Sequence, residues 1–450
     1  MRDFSAVRIN HGVFCYEGTP PLILNLNGKR SCKLQLADPD DLRLLSFIFQ
    51  KGSIDEEGHL PNPTDNERIH MWADQNILSR DGPDKEENKG SQPLLFPLFR
   101  EYWSSRWVTG HEHDLSHYHR KIISDPKEQF EDQEITLSHM YRFSHPALGD
   151  LSYGQRFACV CHHKGILKPG ARILEVGGGT GCFGADFLSY VKENYPDIYG
   201  TLHYTFFDLS PVLLQAQRER TQAHEDVTSF TEGDIEAFDF DGSQFDLVIL
   251  NEMIADLRVE KLKKSYFFFH ERPPEEQRGT FEFCKACGLN FEDAFEEFLI
   301  NIGAFRLLYK LVEIMASGGA AVVVEYGDMN IYPTAAVLKS HTEFSIHFGH
   351  LKHVAQWSGF GTEFSDMLHF LGFRKDVEIL DAFSFTALRE HFMPFFGRDL
   401  SRFAHTRESL IQEVGEDMLS NIQGLRFAPI TKASPTNDPR TYKVLVLSKP

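Results

Sequence analysis

Between residues 6 and 36 apolar and polar positions alternate, and the alternation breaks at Gly18-Thr19-Pro20 and Asn27-Gly28, which predicts two or three short strands. Asp38-Pro39-Asp40-Asp41 then supplies a cap, a first-turn proline and acids for a helix with Leu44, Leu45, Phe47 and Ile48 at helical spacing. A second short helix is predicted over Asn66 to Gln75, so residues 1–78 read as a small α+β module. Residues 79–92, SRDGPDKEENKGSQ, have no apolar period and read as a solvated linker. Residues 93–150 read as a helical connector rich in aromatics. From there to residue 450 apolar strands alternate with helices, the pattern of a doubly wound α/β sheet. No internal repeat interrupts it. The stretch 258–317, with Phe267-Phe268-Phe269 and Phe281 to Phe298, reads as an insert that contributes helices over the site, its Phe and Tyr packing rather than stacking on a cofactor. The last strands are predicted at Val377 to Phe383 and Tyr442 to Ser448, as an antiparallel edge.

Composition narrows the partners. The 450 residues carry 46 Lys+Arg against 65 Asp+Glu, a net charge of −19. Such a surplus repels a phosphate backbone or an anionic membrane surface and favours basic partners. Nucleic acid and membrane are not expected as partners, and nothing in the sequence indicates an oligomeric state. Seven cysteines, an odd count spread along the chain, argue for a reducing compartment, and the N-terminus has no apolar signal region; a cytoplasmic location is expected. Cys159-x-Cys161-His162-His163 and Cys284-x-x-Cys287 hold enough ligands for zinc, but two residues apart on a helix do not share a face, so structural thiols are the preferred reading and no metal is expected.

The candidate chemistry begins at residues 171–184, where an apolar strand runs into Gly177-Gly178-Gly179-Thr180-Gly181 and then a helix. A glycine turn between strand and helix lets a ligand approach the backbone in front of helix N-terminal amides. Gly179-x-Gly181-x-x-Gly184 also satisfies the dinucleotide fingerprint. Three further features follow in order. A second strand ends in Asp208-Leu209-Ser210-Pro211, where a carboxylate can accept from ribose hydroxyls; a third is followed by Gly233-Asp234-Ile235; and a buried fourth, Phe245 to Leu250, ends in Asn251-Glu252.

Glu175-x-Gly177-x-Gly179-x-Gly181, followed by these features, resembles motif I and its successors in class I S-adenosylmethionine-dependent methyltransferases. The resemblance implies a Rossmann-like, seven-stranded methyltransferase sheet and S-adenosyl-L-methionine as cofactor. It assigns Glu175, Gly177, Gly178, Gly179, Gly181, Asp208, Leu209, Asp234, Ile235 and Asn251 to cofactor binding. Within the class, three stretches are similar to the MidA-like family, related to the mitochondrial complex I assembly factor that methylates an arginine. They are Asp208-Leu-Ser-Pro-Val-Leu-Leu-Gln-Ala-Gln217, Asn251-Glu252-Met-Ile-Ala-Asp256 with one extra residue before the Asp, and Gly318 to Gly327 ending in Glu325-Tyr326-Gly327.

That similarity implies a protein or peptide acceptor, arginine first. Paired carboxylates grip a guanidinium bidentately, and Glu252 and Asp256, with Asn251, are the acceptor-facing candidates. The alternative is that Glu252 serves the cofactor and Asp256 caps the next helix. A small-molecule O- or N-methyltransferase would instead need a base, and His341 and His350, from the run His341 to His353, are the candidates. A non-catalytic assembly protein keeping the fold is a third reading. The N-terminal module vaguely resembles the winged-helix domains that recruit precursor peptides by strand addition, which would also make the acceptor a peptide.

Overall fold

The computed structural model describes residues 135–337, 342–433 and 438–450, and among the first 80 residues 6–9, 13–17, 22–25, 33–36, 44–45, 48, 54–55 and 78–80. The predicted helix over 66–75, nearly all of the 79–92 linker, the connector up to residue 134 and His341 lie outside the described residues. The chain forms two compact units, one of Met1–Tyr102 with Asp376–Thr436, the other of Trp103–Lys375 with Asn437–Pro450. The stretch from 151 to 450 is therefore not continuous in space as its single strand-helix pattern implied: some sixty residues near its end fold with the N-terminal module.

In that first unit the strands Val13–Tyr16, Leu22–Asn25 and Lys33–Leu36, in the region where two or three short strands were expected, form an antiparallel meander, and Ile422–Gln423 adds to its first strand. Phe14, Tyr16, Leu22 and Leu24 share one apolar cluster with Leu388, Phe392, Met393, Leu410 and Val414.

The second unit is built on one sheet. Its elements in chain order are α1 (Leu137–Met140), α2 (Tyr153–His163), β1 (Arg172–Val176), α3 (Cys182–Asn194), β2 (His203–Asp208), α4 (Pro211–Arg220), β3 (Thr228–Glu232), β4 (Phe245–Asn251), β5 (Glu260–Lys263), α5 (Glu275–Cys287), β6 (Glu297–Ile300), α6 (Ile302–Ile314), β7 (Met315–Asp328), β8 (Ala335–Val337), β9 (Thr342–Phe344), β10 (Ile346–His347), α7 (Phe348–Trp357), β11 (Gly361–Asp366) and β12 (Tyr442–Ser448). The main path runs β3-β2-β1-β4-β7-β12-β11, parallel from β3 to β7, with β12 antiparallel to both of its neighbours. This is the seven-stranded Rossmann-like methyltransferase sheet, with β10 as a short addition beside β7.

The strand content of β1, β2, β4 and β7 follows from burial on both faces: Ile173, Leu174, Phe206, Leu247, Val248, Ile249, Val322 and Val323 are all in the core. The edge differs from expectation. The strand beside β12 is β11, Gly-Thr-Glu-Phe-Ser-Asp, whereas Glu378–Leu380 pairs with Phe427–Pro429 in the first unit. An edge strand has one neighbour and half-exposed side chains, so β11 needs no apolar run to mark it.

The predicted insert is shorter than 258–317, because α6 is the crossover helix feeding β7. What remains is the β5–β6 hairpin around α5, held by Phe267, Phe281, Phe291 and Phe298, with ring centroids 4.5 Å apart at Phe267–Phe291 and 4.9 Å at Phe291–Phe298. These phenylalanines pack on one another, as the sequence led one to expect. Among the described residues no helix is long and apolar enough to cross a membrane.

Candidate active site

The glycine loop leaves β1 at Val176 with Gly177, Gly179 and Gly181 at φ of +71°, +51° and +80°, values that favour glycine. Space makes the same demand. A Cβ at Gly177 would lie 2.9 Å from Met253 Cβ, one at Gly181 2.9 Å from Gln217 Cα, and one at Gly184 2.5 Å from the Phe206 ring. The loop thus threads between the end of β4 and α4. Gly181 caps α3 without a side chain, leaving the helix N-terminal amides to other acceptors. The resemblance to methyltransferase motif I expects the amino-acid end of S-adenosylmethionine in this cradle.

Asp208 is buried at the end of β2, with Oδ1 accepting from the Ser210 N–H at 2.9 Å and Oδ2 from Gln217 Nε2 at 2.9 Å. Leu209 follows, half-buried. The Gly233 N–H donates to the Asp208 carbonyl at 3.0 Å, and the Asp234 carboxylate accepts from the Glu236 N–H at 3.0 Å while Ile235 is buried. The ends of β2 and β3 therefore meet, at the positions where ribose and adenine are expected.

Glu175 differs from expectation. It lies beneath the loop, buried between sheet and α3, and accepts from the Tyr204 hydroxyl at 2.9 Å. A side chain at Gly184 would come within 2.7 Å of its Oε2. Burial pushes its carboxyl up to about 8, partly offset by the Tyr204 hydrogen bond, with Asp208 adding repulsion. The contacts it makes are with the loop and the sheet: it lies against Gly178 and Gly184 and is tied to Tyr204.

At the end of β4 the Tyr153 hydroxyl donates to Asn251 Oδ1 at 2.7 Å, and Asn251 Nδ2 donates to Glu252 at 3.3 Å. Glu252 has φ of +53°, a strained value for a residue with a side chain. Its carboxylate receives the Leu137 N–H at 2.9 and 3.1 Å, and Tyr442 also hydrogen-bonds to it. Burial lifts it to about 7 despite those donors. Asp256 ends a short turn, Ile254–Asp256, that leads toward β5, so there is no following helix for it to cap.

Two histidines change places in importance. His350 is stacked on His347 at 3.7 Å and edged by Phe291 and Tyr332, inside the insert core, and burial lowers it to about 4. The imidazole that reaches the loop is His139, which the sequence reading missed. His139 Nε2 lies 3.0 Å from Thr180 Oγ1 and Nδ1 2.7 Å from Thr136 Oγ1, and burial lowers it to about 3. With Leu137, it makes α1 a clasp joining the glycine loop to Glu252. The only sequence signal is Thr136 three residues before His139, a cap spacing. Cys159 and Cys161 on α2 and Cys284 and Cys287 on α5 are buried thiols, and burial pushes Cys284 up to about 12. No group of three or more His, Cys, Asp or Glu among the described residues is placed to hold a metal ion.

Residues 154–342 match the family model described as "Putative S-adenosyl-L-methionine-dependent methyltransferase". Among solved structures the chain is similar to a Burkholderia thailandensis protein bound to S-adenosylhomocysteine, at 15% identity over 79% of this chain and 92% of that one, TM-score 0.42. It is also similar to a TehB-like methyltransferase from Corynebacterium glutamicum, at 13% identity over 68% and 92% of the two chains, TM-score 0.28. No curated protein matches the sequence. The sheet order, the glycine cradle and the family match together define a class I S-adenosylmethionine-dependent methyltransferase. S-adenosyl-L-methionine is its cofactor.

Proposed function

We propose that the enzyme methylates an arginine of a protein or peptide. The observation that carries this reading is the gathering of carboxylates at the carboxyl ends of β4 and β7. Repulsion from Glu343 on β9 raises both Glu252 and buried Glu325, after the larger effect of burial. Glu343, Glu325 and Asp256 likewise surround the Tyr326 phenol and raise it, again behind burial. Burial and mutual repulsion disfavour the charged forms of these carboxyls, a nearby cation restores them, and a guanidinium has the planar fork to pair with two.

When bound, S-adenosylmethionine supplies an electrophilic methyl group. The cradle Gly177 to Gly181 holds its amino-acid end, Asp208 its ribose, and the Asp234-Ile235 turn its adenine. Asn251 is fixed by Tyr153 at the seam between the two ligands. Glu252 and Asp256 bind the acceptor, and α1 closes over both. The resemblance of Asn251-Glu252 and Asp256 to the MidA-like motif supports the same assignment. Among the described histidines a base-dependent small-molecule transfer has less support, because His350 packs against His347, Phe291 and Tyr332 and His139 is buried and engaged at both ring nitrogens. The meander of the N-terminal unit, which ends on Lys33–Leu36, is the element we assign to recruiting an extended peptide by strand addition.

The test is incubation with methyl-labelled S-adenosylmethionine and an arginine-containing peptide, comparing wild type with Glu252→Gln. Methylation should fall by about a hundredfold or more, roughly the cost of losing one buried charge partner, while calorimetric S-adenosylhomocysteine affinity stays within about threefold. Equal losses in both would place Glu252 on the cofactor. Label confined to small molecules would reject the arginine reading.

A further inference from the structure

Gln217 is wholly buried on α4, and its side chain belongs to neither the acceptor site nor the apolar core. Its amide nitrogen spends both protons on the site, donating to the Gly179 carbonyl at 2.9 Å and to Asp208 Oδ2 at 2.9 Å. Both partners are acceptors, so the orientation of the amide is decided by chemistry: reversed, its oxygen would face two oxygens. The consequence is that Gln217 Oε1 is buried with no hydrogen-bond partner among the described residues. Buried polar atoms are rarely left unpaired, and a methionine would fill the same volume without the penalty. The loop is also shaped to this side chain. A Cβ at Gly178 would lie 3.3 Å from Gln217 Nε2, and one at Gly181 would strike the Gln217 backbone.

We infer that Gln217 is a positioning residue that ties the glycine loop to the Asp208 carboxylate, setting the spacing between the amino-acid and ribose subsites. The inference rests on the reading that Asp208 takes the ribose. Ser210, through its backbone N–H, holds the other oxygen of the same carboxylate, so Gln217 and Ser210 together fix the plane of that group.

The experiment is calorimetric titration of the full chain, wild type and Gln217→Met, with S-adenosylhomocysteine and with its 2′,3′-dideoxyribose analogue. The variant should bind S-adenosylhomocysteine at least about tenfold more weakly and lose clearly less affinity for the dideoxy analogue, which feels only the loosened loop and not the misplaced carboxylate. In turnover, KM for S-adenosylmethionine should rise more than kcat falls. Equal weakening toward both ligands, or none, would overturn the inference. If Gln217→Met does not fold, as judged by thermal unfolding, Gln217→Leu repeats the comparison with the donor removed and no charge added. Wild type that fails to discriminate the two ligands would instead reject the ribose role of Asp208.

Discussion

Glu175 illustrates how one burial sets both a structural role and a pH response. Its folded value of about 8 lies above the ordinary 4.5, so as pH rises the unfolded chain loses its proton first. Stability from this group is complete below about pH 4.5 and falls through the window up to about 8, by on the order of 5 kcal/mol. Glu252 acts in the same direction up to about 7. Gln at position 175 keeps the acceptor for Tyr204 and does not ionise. Urea unfolding of Glu175→Gln should therefore show a shallower loss of stability between pH 5 and 8 than wild type, and parallel curves would refute the buried-acid account. The residue types of the loop were legible because left-handed φ and backbone contact demand glycine. The side on which Glu175 lies was not, since a carboxylate at a strand end serves equally well above or below the loop.

Among the elements, β10 and the β8–β9 hairpin depend on one residue. Gly327 on β7 pairs with Ile346, and a Cβ there would lie 2.2 Å from the Ile346 carbonyl oxygen. Gly327→Ala must push β10 away and, with it, the strand carrying Glu343. It should cost about 1–3 kcal/mol and lower methylation more than S-adenosylhomocysteine binding. Thermal unfolding and calorimetry together read both. Strands with two buried faces were visible as apolar runs. The polar edge strand β11 was not, and Val377 to Phe383 looked like its replacement because an apolar run does not name its partner. Element α1, four residues long, has too few positions to show a period, so the clasp over the site had no sequence signal beyond its threonine cap.

At the scale of the molecule, the charge of −19 bears on the acceptor. If an arginine peptide is drawn to the carboxylates around Tyr326, its kcat/KM should fall several-fold between about 50 and about 300 mM salt, while affinity for zwitterionic S-adenosylhomocysteine changes little. An acceptor response as flat as the cofactor's would argue against electrostatic recognition. The chain by itself determined the class of fold and the cradle, because periodic burial, glycine geometry and the order of acids along strand ends are local properties written in consecutive residues. Only the tertiary structure decided that residues 376–436 leave the catalytic unit, that β12 lies between β7 and β11, that His139 meets the glycine loop, and that His350 stacks on His347. Those outcomes depend on which distant surfaces bury one another, and that selection is made by packing across the chain, which no single window of sequence contains.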